Sequence, residues 1–139
     1  MSLKGNPTHM PIIYQIDPVE SFIHTRCIGD VNLEDAKNHL QLLQEDPLCP
    51  ASLNVLLDLG ETTSVPDSDE LRLVSEEIGR VRSIQFNACA ILTDNDHLFG
   101  MARMFVVFAR ERFRAMHVFR TSTNARKWLD SFQLPVSSE

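Results

Sequence analysis

Three aspartates that follow apolar, strand-like runs are the side chains of this sequence best placed to do chemistry. Asp58 lies near the carboxyl end of the run 53–59, and Asp94 and Asp96 directly follow the run 88–93. If both runs are parallel strands, their carboxyl ends meet at the edge of the sheet where α/β proteins place their ligand sites. Carboxylates gathered there can hold Mg²⁺. Phosphoacceptor chemistry needs a further acidic pair and a lysine after the last strand, and neither is present. We therefore predict no metal site, a helix-capping role for the string Asp94-Asn95-Asp96, and a positioning role for Asp58.

The histidines and cysteines show no pattern of metal ligation or nucleophilic catalysis. The histidines are dispersed, and the cysteines are an odd number without CxxC spacing: His9, His24, His39, His97 and His117; Cys27, Cys49 and Cys89. Such cysteine usage predicts free thiols in a reducing cytosol. The GxSxG, P-loop and GxGxxG motifs are absent as well. We predict a protein without enzymatic activity and without a cofactor.

Length and charge indicate one soluble domain. We predict a flexible leader at 1–10, a single domain at 11–134 and a tail at 135–139. No apolar run approaches the ~20 residues of a membrane-spanning helix, and the start lacks the apolar core of a secretory signal, so we expect a cytoplasmic protein. Residues 1–100 carry a net charge of −10 and residues 101–139 a net charge of +4. The acidic total argues against nucleic-acid binding, while the basic third is either a solvated face or a surface for an acidic partner.

Strand-like and helix-like patterns alternate along the chain. The runs 12–16 and 22–28 are too close together for a parallel crossover, so they predict an antiparallel hairpin. The remaining alternation predicts an α/β domain with a mixed, mostly parallel five-stranded sheet, four helices and right-handed crossovers. The predicted strands are 12–16, 22–28, 53–59, 88–93 and 116–119, and the helices follow Asn32, the polar loop 61–68, the loop 94–97 and the cap 121–124.

The third predicted helix, 98–112, is apolar on nearly all sides. One stripe at helical spacing suffices to pack on a sheet, and Met104 and Val107 lie beyond it. We predict an interaction surface with an arginine rim, made by Met101, Met104, Val107 and Phe108 with Arg103 and Arg110. Such a surface most simply serves a two-fold homodimer. In the alternative, the final helix covers this face through Trp128 and Phe132.

The order of elements and four short strings resemble the stage II sporulation protein AA-like family of STAS-related α/β domains. The strings are 55–59 (VLLDL), 100–105 (GMARMF), 118–120 (VFR) and 125–129 (ARKWL), and the likeness spans roughly residues 11–132. The resemblance implies a small mixed sheet surrounded by helices, usually no enzymatic activity, and a role in protein association. Some members regulate anti-sigma-type partners, and others are related to Sec14-type lipid-binding domains.

Classical members of that family carry an Asp-Ser pair after the central strand, and a partner kinase phosphorylates the serine. Asp67 and Ser68 fall at about that place, so the resemblance makes Ser68 a phosphorylation candidate. The usual Ser-Gly-Leu continuation is replaced here by Asp69, Glu70 and Leu71. Those acids oppose a new phosphate, and the same residues are also typical of a plain helix cap.

Two functions of different classes follow from the sequence. The first is a regulatory protein-interaction domain, with a homodimer or a protein partner of unknown identity. The alternative is a binding module or carrier for a small apolar ligand or lipid. A cavity lined by apolar side chains would favour the second, and a solid core with an exposed apolar helix face would favour the first.

Overall fold

Residues 11–132, which the computed structural model describes, form one five-stranded sheet with four helices. The strands are β1 (Ile12–Asp17), β2 (Phe22–Asp30), β3 (Ser52–Ser64), β4 (Gln85–Leu92) and β5 (Ala115–Phe119). The helices are α1 (Leu33–Glu45), α2 (Ser68–Gly79), α3 (Asp96–Ala109) and α4 (Ser122–Asp130). The strands lie in the order β1-β2-β3-β4-β5, antiparallel between β1 and β2 and parallel elsewhere. This arrangement confirms the predicted fold class.

The leader at 1–10, the tail at 135–139 and the last two residues of the predicted domain lie outside the described residues. Within the described part, no helix is long and apolar enough to cross a membrane.

The β1–β2 hairpin is built by local turn chemistry. The Asp17 carboxylate accepts hydrogen bonds of 3.1 Å from the backbone N–H groups of Val19 and Glu20. Aspartate followed by proline favours such a turn. The turn sets the register that places Tyr14 directly opposite Thr25. Of this pair, Thr25 lines the cavity described below.

Each helix begins at a short polar side chain that accepts a hydrogen bond from a backbone N–H three residues later. The four capping residues are Asn32, Asp67, Asn95 and Thr121. Such caps satisfy N–H groups that have no partner inside the helix. Because Asn95 is the cap of α3, this helix begins at Asp96, before the predicted Leu98. The cap thus lies within the predicted capping string Asp94-Asn95-Asp96, at Asn95.

The two faces of the sheet are covered unequally. Right-handed crossovers between successive parallel strands that extend the sheet in one direction place α1, α2 and α3 on the same face. The helix α4 packs on the other face, where Ala125 and Leu129 meet Leu56, Ala88 and Ala90. Trp128 and Phe132 belong to this second cluster, while α3 belongs to the first. The alternative in which the final helix covers α3 was therefore wrong.

The central strand is longer than its apolar run suggested. It continues beyond Gly60 to Ser64, through the first half of the predicted loop. The extension pairs with the end of β2, and the hydroxyls of Thr63 and Ser64 donate to Asp30 at 2.7 and 2.9 Å. Asp58 is consequently inside a strand and not at its end, which corrects the predicted strand-end position.

Candidate functional site

A cavity of about 150 Å³ lies between the sheet and the three helices α1, α2 and α3. Its sheet side includes Ile23, Thr25 and Cys27 of β2 together with side chains of β3 and β4. Protein interiors are normally close-packed, with few voids larger than a water molecule. A dry apolar cavity of this volume accommodates a single-ring molecule such as benzene.

The cavity exists in part because small side chains lie on its opposite walls. Ala36 of α1 and Ala102 of α3 face the cavity, as do the thiols of Cys27 and Cys89. The helix α1 also packs less deeply than its neighbours, because only Leu43 among its thirteen residues is buried. The cavity therefore has two causes. The side chains that face it from the sheet and from α3 are small, and α1 packs loosely against the sheet.

The cavity carries no charge at neutral pH. Burial raises the pKa of the Cys27 and Cys89 thiols to about 12, so both stay protonated. Burial also lowers the pKa of His39 to about 4, which leaves its imidazole neutral. Among residues 11–132, no aspartate, glutamate, lysine or arginine lines the cavity. The site can hold an uncharged, mainly apolar molecule.

Asp58 lies on the opposite face of the sheet, where it pairs with a histidine. Its Oδ2 is 2.9 Å from His24 Nε2, and its Oδ1 accepts a 2.9 Å hydrogen bond from the Gly60 N–H. Asp96 instead pairs with Arg120, 3.0 Å away. Among residues 11–132, no group of three or more histidine, cysteine, aspartate or glutamate side chains is arranged to hold a metal ion.

The predicted interaction surface on α3 divides into two parts. Met104 and Val107 are 36% and 58% exposed, and Arg103 and Arg110 beside them are exposed as well. Met101 instead lines the cavity, because it lies on the face of α3 turned toward the sheet.

Phe108 of α3 packs against α2. The Arg72 guanidinium lies 4.2 Å from the centre of its ring, and the Ser75 hydroxyl donates to its backbone oxygen at 2.9 Å. Met101 and Phe108 are thus half-buried, and the fully exposed part of the predicted surface is smaller than expected. The interaction role of the surface stays a prediction. The α3 patch is hereafter Met104 and Val107 with Arg103 and Arg110.

Ser68 is the exposed first residue of α2. Asp67 caps this helix through a 3.0 Å hydrogen bond from the Glu70 N–H, as expected from the sequence. The position is accessible, and phosphorylation at Ser68 stays a prediction.

Sequence reasoning did not single out the polar cavity residues Thr25 and His39. A signal for His39 was present, because it continues the apolar stripe of α1 at three residues after Ala36 and four before Leu43. A histidine on an otherwise apolar stripe points toward the interior of the protein. Thr25 gave no comparable signal, because threonine is common in strands.

The fold is similar to that of a solved structure. An uncharacterized protein of the DUF3478 family with a SpoIIAA-like fold, from Shewanella loihica PV-4, matches with a TM-score of 0.56 at 14% sequence identity. The match covers 85% of this chain and 91% of that chain. No protein-family model and no curated protein matches the sequence. The chain therefore has a SpoIIAA-like fold, and the similarity extends to the fold alone.

Proposed function

We propose that this domain of SpoIIAA-like fold binds a small apolar molecule in the cavity under α1 and performs no chemistry on it. The single observation that carries the proposal is the uncharged cavity of about 150 Å³. Of the two functions that the sequence left open, a lined apolar cavity favours the ligand-binding one. Small-molecule sites are typically concave and mostly apolar, with a few polar groups that orient the ligand.

The lack of catalysis is part of the proposal. The cavity thiols are protonated, which removes the thiolate that a nucleophilic cysteine needs. Within the described part of the chain, His39 is the one base that lines the cavity, and no carboxylate lines it. For a ligand of single-ring size, we expect dissociation constants in the micromolar to millimolar range, since so few atoms make contact.

Toluene binding to wild type and two phenylalanine variants tests the proposal. Val74 of α2 lines the cavity, and Val74→Phe fills part of its volume. Val107→Phe is the matched control, because Val107 is 58% exposed and does not line the cavity. We expect saturable shifts of cavity methyl resonances in wild type and in the control, and at least tenfold weaker binding in Val74→Phe. Wild type that shows no saturable binding of toluene, cyclohexane or indole would contradict the proposal.

Protein association through the α3 patch is a second candidate function. The observation that favours it is the exposure of Met104 and Val107, one turn apart on the same helix and flanked by arginines. Methionine and arginine suit adaptable association surfaces, and a two-fold homodimer uses one patch twice. A protein partner in a regulatory role would use the same patch.

Sedimentation measurements test the second candidate. We expect wild type to dimerise at tens of micromolar and Met104→Glu/Val107→Glu to stay folded and monomeric. Leu42→Glu is the control, because Leu42 is also 58% exposed but lies on α1. Wild type that remains monomeric at several hundred micromolar would exclude the homodimer.

A further inference from the structure

Thr25 brings a hydroxyl without a hydrogen-bond partner to the wall of the cavity. The residue is 3% exposed, and its Oγ1 is buried without a partner among the described residues. A buried polar group left unpaired costs roughly 1–3 kcal/mol, so such groups are rare in stable structures and call for a physical reason. Thr25 shares the helix-facing side of β2 with Ile23 and Cys27, and all three line the cavity.

His39 also lines the cavity, and like Thr25 it has Tyr14 as a neighbour. Tyr14 stands opposite Thr25 in the β1–β2 ladder, and its ring lies 5.3 Å from the His39 ring, edge to face. The Tyr14 hydroxyl donates to Asp46 at 2.7 Å, which commits its proton elsewhere. Tyr14 is therefore a neighbour of Thr25 across the ladder and of His39 ring to ring, while its own hydroxyl proton is used by Asp46.

We infer that the molecule bound in this cavity carries one uncharged hydrogen-bonding group, a hydroxyl above all, which pairs with Thr25 and His39 while its apolar remainder fills the space toward α3. This inference rests on the proposed ligand-binding function and deepens it by naming the chemical class: small phenols and cyclic alcohols.

The chemistry of the two side chains selects a neutral group. A threonine hydroxyl donates once and accepts twice, and a neutral imidazole offers one donor and one acceptor. A ligand hydroxyl can therefore donate to one of them and accept from the other. The hydrogen of the Thr25 hydroxyl can rotate about the Cβ–Oγ1 bond, so the same oxygen can donate to the ligand or accept from it.

Charged ligands are excluded by the rest of the wall. A carboxylate or an ammonium group buried here would face no opposite charge, and burial of an unpaired ion is strongly unfavourable. The low pKa of His39 agrees, because this site does not stabilise the imidazolium that an anion would need.

Phenol and toluene form the test pair, because they differ only by a hydroxyl in place of a methyl group. We expect wild type to bind phenol at least as tightly as toluene, although water solvates phenol better, and not to bind benzoate. Thr25→Val and His39→Leu should each weaken phenol binding about five- to tenfold and change toluene binding by less than twofold. Thr25→Ser, which keeps the hydroxyl, should retain the affinity for phenol.

Thr62→Val is the matched control, because the Thr62 Oγ1 is also buried without a partner among the described residues but does not line the cavity. It should leave both affinities unchanged. If toluene binds but Thr25→Val and His39→Leu leave the ratio of phenol to toluene affinity unchanged, the inference fails while the proposed function stands. If neither molecule binds wild type, the proposed function itself fails.

Discussion

Asp58 and His24 form a hydrogen bond between the two longest strands of the sheet, on the face opposite the cavity. Both side chains are about three-quarters buried, with relative exposures of 22% and 27%. Loss of a partly buried hydrogen bond of this kind destabilises a protein by about 1–2 kcal/mol. We expect Asp58→Ala to lower the free energy of unfolding by that amount, and Asp58→Asn by less, because the amide still accepts from Gly60.

Urea denaturation measures this effect, with Glu61→Ala as the control. Glu61 makes an exposed ion pair with Arg26, and such pairs contribute only about 0–1 kcal/mol. If Asp58→Ala proves as stable as the control, the Asp58–His24 pair does not contribute to the free energy of unfolding. A substrate turnover that disappears in Asp58→Asn would instead give Asp58 a catalytic role.

His39 makes the stability of the domain depend on pH. Its pKa is about 4 in the folded protein, below the usual 6.5 of the unfolded chain, because burial disfavours the imidazolium. The unfolded state therefore binds more protons than the folded state between these two values, and the contribution of His39 to stability is complete only above pH 6.5. We expect wild type to lose on the order of 1–3 kcal/mol more than His39→Gln as the pH falls from 6.5 to 4.

Denaturation curves at pH values from 4 to 7.5 give the comparison. The carboxylates of Asp30 and Asp46 affect the stability in a lower range of pH. Hydrogen bonds from Thr63 and from the Leu48 backbone, respectively, lower their pKa values, so their contributions are lost only below about pH 4. Parallel stability curves for wild type and His39→Gln would show that the His39 ring is hydrated in the folded protein.

At the scale of helices and strands, local chemistry made the helix starts predictable and left the end of β3 unpredicted. A helix cap depends on residues within one turn, so Asn32 and Asp67 could be identified from the sequence. The end of β3 depends on β2, which is far away in sequence and continues to Asp30. Polar residues such as Thr62 and Thr63 resemble a loop until a neighbouring strand pairs with them.

The start of α2 provides a prediction about Asp67 and Ser68. We expect Asp67→Ala to lower the free energy of unfolding by about 1 kcal/mol, because it removes the cap on Glu70. Ser68→Asp should change it by less than about 0.5 kcal/mol, because the favourable helix dipole offsets repulsion from neighbouring acids. Thermal or urea denaturation measures both.

Phosphorylation of Ser68 is a separate prediction with its own test. Because the helix N-terminus tolerates negative charge, the phosphorylated domain should remain folded, and the added charge should weaken contacts with acidic surfaces. Intact-mass measurement of protein isolated from its native cell reports the modification. Unmodified protein under all growth conditions, together with normal partner binding by Ser68→Asp, would end this prediction.

At the scale of the whole molecule, some apolar side chains of α3 lie in the interior and others at the surface. The sequence pattern did not distinguish the two groups. Ala102 and Phe105 pack into the core and also line the cavity with Met101, while Met104 and Val107 remain at the surface. Hydrophobic periodicity indicates which side of a helix faces inward. It does not indicate whether the space on that side is filled, because a residue that lines a cavity has the same type and spacing as one that fills a core. The fold was therefore predictable from the sequence, and the candidate site was not.

Because α1 buries few of its side chains, we expect it to undergo local opening more readily than the other helices. Local opening requires the least energy where few apolar side chains are buried, and α1 buries only Leu43, whereas α3 buries Leu98, Ala102, Phe105 and Ala109. A ligand that enters the cavity must also pass between elements, and Ala36, His39 and Leu40 of α1 both line the cavity and are partly exposed to solvent. We therefore expect the backbone amides in the middle of α1 to exchange hydrogen at least tenfold faster than those in the middle of α3.

Amide hydrogen exchange measured with and without toluene tests whether α1 opens to admit the ligand. A ligand that binds only the closed form should slow exchange in α1 by the factor 1 + [L]/Kd, and it should leave α4 unchanged, since α4 lies on the opposite face of the sheet. Val74→Phe provides the comparison, because partial filling of the cavity should slow α1 exchange without any ligand and make it insensitive to toluene. Equal exchange rates in α1 and α3, or protection by toluene that is uniform over all four helices, would mean that the cavity opens only when the whole domain unfolds.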